Sequence, residues 1–501
     1  MGKVKALIAC ILLFFLFGPV ATAQLPGFEY IIEGQAGFTP SGKLPFWLRA
    51  NQNGSIPLTG PSVGFIGSIF KSYTKTKPGK VDWGGGIEVR ANAGNSSHVT
   101  LIKGYLKVHK GIFEVKAGRF NQISGIVDSA LSTGAFSISN NALGIPQLHI
   151  SIPNYYQLPF FDKLFSIKGS YAAGVVGNVN IGLTEYVNHV TAYYQQNSIY
   201  LKLGKPHWRL SLFGGINHHV MFTDERKVYG PYFTLNLPQI FWYTAIGKTY
   251  YPPDLTDSVQ APLVSKVGNH IGSLDMSLQY EFDGVRLLAY RQNIYDIGAI
   301  GHLANIKDGI NGISLTNRKF VSKKIDWRKL ALEIIYTKDQ AGHYNSTFTT
   351  SGDENYYNNY EYNNGWTYQG LNLGNPLLSS QAYTRSGLAI DSLQDYIIDN
   401  RILAFHAAIE GSVKNMYVIA KLTYSRNYGT YGTSPEGHSH GRTFFPPKYG
   451  QFGEISELSG YLEINKPLKN NINISAAIAA DNGGLYYNSI GLLLKLRKSF
   501  N

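Results

Sequence analysis

Leu403-Ala404-Phe405-His406-Ala407-Ala408-Ile409-Glu410 decides how the rest of the chain is read. Leu403, Phe405, Ala407 and Ile409 alternate with Ala404, His406, Ala408 and Glu410, and a period of two belongs to a β-strand with two unlike faces. The pattern recurs in both directions. Upstream, Leu274, Met276, Leu278 and Tyr280 alternate with Asp275, Ser277 and Gln279. Downstream, Ile472, Ile474, Ala476 and Ile478 alternate with Asn473, Ser475 and Ala477, and Ile490, Leu492, Leu494 and Leu496 with Gly491, Leu493, Lys495 and Arg497. In a membrane barrel one set faces lipid and the other a lumen; in a soluble sandwich one set faces a core. The period alone does not separate them.

Connection lengths do. Tight turns are expected at Lys110-Gly111, Gly204-Lys205-Pro206, Asp283-Gly284, Lys414-Asn415 and from Lys466 to Asn471. Long polar segments fill 217–271, 292–307, 338–401 and 425–452. Short turns at one end and long loops at the other are the outer-membrane pattern. Counting back from a periplasmic Phe500 puts every tight turn in the periplasm and every long loop outside. Further strands are expected at 28–36, 62–71, 82–92 and within 121–174. A periplasmic N-terminus requires an even total. The fold class expected is therefore all-β: a transmembrane antiparallel barrel of about 18 strands, with 16 as the alternative.

Composition agrees. The 501 residues include 35 Tyr and 26 Phe, and barrels use such rings as girdles at both membrane interfaces. Past the N-terminus no stretch approaches the eighteen or so apolar residues of a spanning helix, so a membrane-resident chain must cross as a closed barrel. Lys3, Lys5, the apolar run from Ala6 to Phe17 and Ala21-Thr22-Ala23 read as a secretory signal over 1–23, with the barrel over 24–501 beginning at Gln24. Leu7-Ile8-Ala9-Cys10 offers a lipoprotein alternative, weakened because the apolar run continues past Cys10. Cys10 is the only cysteine, so cleavage at Ala23 leaves no disulfide, catalytic thiol or cysteine metal ligand. The formal charge of +13 suits an anionic partner: acidic polysaccharide, lipopolysaccharide phosphate or nucleic acid. Export argues against nucleic acid.

Four segments then carry a resemblance. They are Pro45-Phe46-Trp47-Leu48-Arg49-Ala50-Asn51-Gln52-Asn53-Gly54; Gly134-Ala135-Phe136-Ser137-Ile138-Ser139-Asn140-Asn141-Ala142 with Ile145-Pro146; Asn269-His270-Ile271-Gly272-Ser273 through Tyr290-Arg291-Gln292 to Asp308-Gly309-Ile310-Asn311-Gly312; and Tyr336-Thr337-Lys338-Asp339-Gln340 to Gly365-Trp366-Thr367-Tyr368-Gln369-Gly370 and Gly374-Asn375-Pro376. In this order they resemble the capsule-assembly Wzi family, especially its Bacteroidetes-type members. The resemblance implies a partly plugged outer-membrane barrel of about eighteen strands, with a small helical part on the periplasmic side. It also implies a lectin-like role, attaching capsular or exopolysaccharide to the cell surface, in contact with outer-membrane lipid and lipopolysaccharide. It brings no catalytic set and no cofactor, so no enzyme is expected. A porin or sugar channel is the alternative. The matched residues serve equally as fold markers, since Gly, Asn and Asp are what turns demand.

Candidate polysaccharide contacts lie in two loops. Loop 338–401 carries Tyr356, Tyr357, Tyr360, Tyr362, Trp366 and Tyr368 among Asn355, Asn358, Asn359, Asn363 and Asn364. Aromatic faces stack on sugar rings and amides bond hydroxyls; the competing reading is that these rings pack the loop into the barrel mouth. Loop 425–452 carries Arg426, His438, His440, Arg442 and Lys448. Its cations could meet uronate carboxylates, or be solvated loop charge. His438-Ser439-His440 lacks a third strong ligand, so no metal site is expected. His218-His219 read as structural, and Trp83-Gly84-Gly85-Gly86 opens a strand rather than a phosphate loop.

Overall fold

The computed structural model describes residues 27–500, apart from 75–78, 96, 183–186, 253–265, 297–298, 342–353, 391–395, 436–437 and 441–442. The expected signal segment, its lipoprotein alternative at Cys10, and Arg442 lie outside the described residues.

Eighteen antiparallel strands close on themselves. They are β1 Phe28–Phe38, β2 Ser62–Lys71, β3 Asp82–Gly94, β4 His98–Lys110, β5 Phe113–Arg119, β6 Gln147–Gln157, β7 Phe165–Asn180, β8 His189–Leu203 and β9 Leu210–Phe222. The second half comprises β10 Asn269–Glu281, β11 Val285–Tyr295, β12 Gly309–Asn317, β13 Asp326–Tyr336, β14 Ile402–Val413, β15 Met416–Asn427, β16 Ile455–Pro467, β17 Ile472–Gly483 and β18 Ser489–Phe500. Each pairs with its sequence neighbour, and β18 pairs with β1, Phe500 opposite Tyr30 and Leu492 opposite Phe38. The even number returns both ends of the barrel to the short-turn side. Lys414 and Asn415 connect β14 to β15 with φ of 49° and 69°, the left-handed pair that matches the twist of a two-residue hairpin.

Alternation becomes two faces, as expected. Leu332, Phe405, Leu422, Ile478 and Leu494 stand exposed on the outside, whereas Glu333, His406, Thr423 and Ala477 are buried inside. Trp83, Phe113, Phe160, Phe161, Trp208 and Phe282 are exposed near the short-turn end, where an interfacial girdle belongs. No helix among the described residues is long and apolar enough to cross a membrane.

Three long excursions, 39–61, 120–146 and the described residues of 337–401, turn back into the barrel and fill its upper lumen. Their core includes Phe46, Trp47, Phe136, Leu143, Tyr356, Tyr357, Trp366, Leu373 and Ile397, packed on inward wall residues such as Tyr194, Met221 and Ile335. Within 121–174 the chain thus holds two strands and a plug segment. The small helical part differs from expectation in position. Among the described residues, the short-turn end carries one 3₁₀ turn, Phe161–Lys163. The helices α1 (Phe46–Arg49), α2 (Glu225–Tyr229) and α3 (Leu237–Ile246) belong to long-loop excursions.

Candidate functional site

Of the four segments singled out in the sequence, the first, second and fourth contribute to the plug, and the third supplies wall residues against which it packs. In the first, Phe46 donates its backbone N–H to Asp481 Oδ2 at 2.7 Å, Trp47 Nε1 donates to Thr423 at 3.2 Å, and the Arg49 guanidinium lies 4.2 Å from the Tyr383 ring centre. In the second, Phe136 N donates to the wall residue Gln292 at 2.8 Å. Second and fourth are joined by Asn375 Nδ2 donating to Gly134 O at 2.6 Å and Ser139 N donating to Leu373 O at 2.8 Å. Gly374 allows this approach: a Cβ there would sit 2.0 Å from Phe136 O.

This geometry corrects the reading of the aromatic loop. Tyr356, Tyr357 and Trp366 are fully buried and Tyr368 is nearly so, leaving no ring face open to a sugar. Trp366 Nε1 donates to Ser137 O at 2.7 Å, Tyr357 OH to Phe136 O at 2.5 Å, Tyr356 OH to Asp308 at 2.7 Å, and Arg119 donates to Tyr368 OH at 2.7 Å. Rings that satisfy their own polar atoms this way can be buried without penalty. They pack the loop into the barrel mouth. Tyr360 differs, with 46% of its surface exposed.

Asp308 ties the plug to the wall. Its carboxylate accepts from Tyr356 OH and from the backbone N–H groups of Asp339 and Gln340, at 2.9 and 2.8 Å. Burial nevertheless pushes its pKa up to about 7, against those hydrogen bonds. On the other side of the plug, burial also opposes charge on Asp128. Bonds from Ser314, the backbone of Leu131 and Ala130, and Lys329 at 2.9 Å outweigh it and hold that carboxyl below its usual range.

The outer rim carries the exposed chemistry. Lys338 Nζ lies 3.6 Å from the Tyr428 ring centre, Lys448 lies 5.2 Å from Tyr449 and Lys43 lies 5.4 Å from Tyr487. Arg426 stands at the same rim, but Nε already donates to Glu454 at 2.6 Å, which occupies the fork a uronate would need. The Lys338–Tyr428 and Lys43–Tyr487 pairs join residues from different loops, so no sequence spacing announced them. His438–His440 pairs with Thr443–Phe445 in a small hairpin. Among the described residues no group of three or more His, Cys, Asp or Glu could hold a metal ion. His219 is buried inside the wall and bonds Tyr194 OH at 2.7 Å, a structural role.

Below the plug the lumen is polar. A cavity of about 230 Å³ is lined by Asn51, Gln52, Asp128, Lys421, Tyr461 and Glu463 among others. A concavity of about 1020 Å³ lies mainly on the outer face of β9 to β15, against Leu212, Met276, Ile313, Leu332, Phe405 and Leu422, which belong to the lipid-facing set.

No protein-family model matches the sequence, and no curated protein matches it. Solved structures do. The chain is similar to Wzi, an outer-membrane protein involved in group 1 capsule assembly in Escherichia coli and described as a carbohydrate-binding β-barrel, with 11% identity, TM-score 0.52, and coverage of 99% of this chain and 87% of that one. OpdH of Pseudomonas aeruginosa aligns at 8% identity and TM-score 0.44 over 95% and 98% of the two chains. OpdQ of the same species aligns at 9% and 0.41 over 94% and 96%. Closed wall, apolar exterior and girdle, with the fold shared with the Escherichia coli barrel, make the chain an outer-membrane β-barrel.

Proposed function

We propose that this barrel holds polysaccharide, capsular or exopolysaccharide and acidic in character, at the cell surface by binding it, without chemical turnover. The observation that carries the reading is the plug: a lumen filled by fully buried Trp366, Tyr356 and Tyr357 leaves the outer surface as the place to meet a polymer. The rim supports an acidic ligand, since Lys338, Lys448 and Lys43 stand over Tyr rings that can stack on sugar faces. Tyr360 and Lys448 are the proposed contacts retained from the sequence, joined by Tyr428 and Tyr449; Arg442 stays a proposed contact. The carbohydrate-binding description of the similar Escherichia coli barrel points the same way.

The test is a deletion strain. It should shed polymer into the medium while still making it, and wild-type protein restored in trans should return the polymer to the cell. Normal retention without the protein would defeat the reading. A solute channel is the second reading, favoured by the polar cavity under the plug; large, steady conductance in planar bilayers would select it.

A further inference from the structure

The outside of the wall carries a second anomaly. Register fixes which side chains of β8, β9 and β10 face lipid. Ile199, Leu201, Leu212 and Ile216 are exposed there, and their pairing runs unbroken to Gln195, Asn197, His218 and His270. Tyr295 of β11 shares that face, opposite Gly272. Five polar side chains thus stand on the lipid-facing set. A barrel's apolar band is about 25 Å tall with strands tilted about 40°. At a rise of about 3.4 Å per residue it spans roughly ten residues, from Leu210 beside the lower girdle to the level of Val220. His218 and its neighbours fall inside it.

Helix α3 covers Gln195, Asn197 and His218, and His218 in turn meets His270 at 3.2 Å and Tyr295 OH at 2.9 Å. Gln195 Nε2 donates to Phe241 O at 3.4 Å and Gln195 Oε1 accepts from Thr244 Oγ1 at 2.8 Å. Lower down the wall, Asn197 Nδ2 donates to Ala245 O at 3.0 Å and His218 Nε2 meets Thr244 O at 3.2 Å. The helix therefore descends the wall, with its capping box Asn236/Gln239 uppermost. Its last carbonyls would be orphans at an ordinary helix end. Here Gly247, in the left-handed conformation, and Lys248 return N–H groups to Thr244 O and Tyr243 O, while the wall takes Phe241 and Ala245. Three of the last four carbonyls, those of Tyr243, Thr244 and Ala245, are thus satisfied by protein groups, as a lipid environment demands. Ile240 packs with Val220, Phe222 and Val267 beneath it. On the opposite face Trp242 and Ile246 are 62% and 53% exposed.

We propose that α3 is immersed in the outer leaflet, clamped to the outside of the barrel, and that Trp242 and Ile246 contact lipid acyl chains as part of the outer interfacial girdle. The occupant follows from position: an apolar helix face inside the height of the lipid band has acyl chains as its neighbours. Lys248 Nζ lies 4.7 Å from the Tyr243 ring centre, a cation–π contact that holds its amine against the helix.

The test places an environment-sensitive fluorophore on Ile246→Cys, and separately on Trp242→Cys and Lys448→Cys, in the full chain reconstituted into phosphatidylcholine vesicles. Retained heat modifiability on gels certifies each barrel. Brominated acyl chains should quench the probes at 242 and 246 several-fold more than the probe at 448, and aqueous iodide should rank them in reverse. Iodide access with no bromine quenching at 246 would overturn the proposal. Disulfide crosslinking between two copies through Ile246→Cys would also overturn it, in favour of a second chain on this face.

Discussion

At the scale of residues, the plug depends on a few satisfied buried groups. Trp366→Ala removes a fully buried ring and the donor to Ser137 O; such truncations cost about 3–5 kcal/mol. The expected result is a barrel of normal abundance and heat modifiability with a loosened plug, read as conductance steps in planar bilayers and faster cleavage of 354–401 by added protease. Asp308 makes a different prediction. Its folded pKa, about 7, lies above its ordinary value of 3.8, so the folded plug holds that proton more tightly than the released plug. This contribution is fully present below about pH 4 and is lost as pH rises towards 7. Protection of plug peptides, relative to the intrinsic exchange rate at each pH, should therefore be greater at pH 5 than at pH 8, with the difference reduced in Asp308→Asn. Equal protection at the two pH values would show that Asp308 does not couple to plug release.

At the scale of elements, strands were legible in the sequence and excursions were not. Alternation such as Leu403 to Glu410 is a local consequence of the pleat, visible without knowing any partner. A loop rich in Tyr and Asn reads the same whether it waves in water or folds back into a lumen, because burial inside a barrel imposes no period. Hence the stacking role first given to Tyr357 and Trp366, and hence the blindness to α3, whose Leu237-Pro238-Gln239-Ile240-Phe241-Trp242 lay inside an expected polar segment. The rim was half legible: the sequence placed Lys448 and Tyr360 in long loops, while the partnership of Lys338 with Tyr428 required the fold. That rim yields a prediction. Lys338→Ala with Lys448→Ala should weaken binding of an acidic polysaccharide roughly tenfold at low salt and much less at high salt, because attraction between exposed charges is screened beyond about 8 Å at physiological ionic strength. A loss unchanged by salt would place the recognition elsewhere.

At the scale of the whole molecule, parity makes the sharpest prediction. Tags inserted near residue 360 should be reached from outside intact cells, and tags near 205 or 414 only after the outer membrane is opened; reversed labelling would invert the orientation. One contact also constrains how the molecule comes into being. Phe46 binds Asp481, and Arg49 lies over the Tyr486 ring at 4.9 Å, so the earliest excursion of the chain is anchored by its last outer hairpin. The first residues to be made cannot take their final places until the last hairpin has formed, and closing contacts across so long a span is slow. The expected order is therefore wall first and first excursion last, so that segment 39–61 should be the last part of the plug to gain protection from protease during assembly.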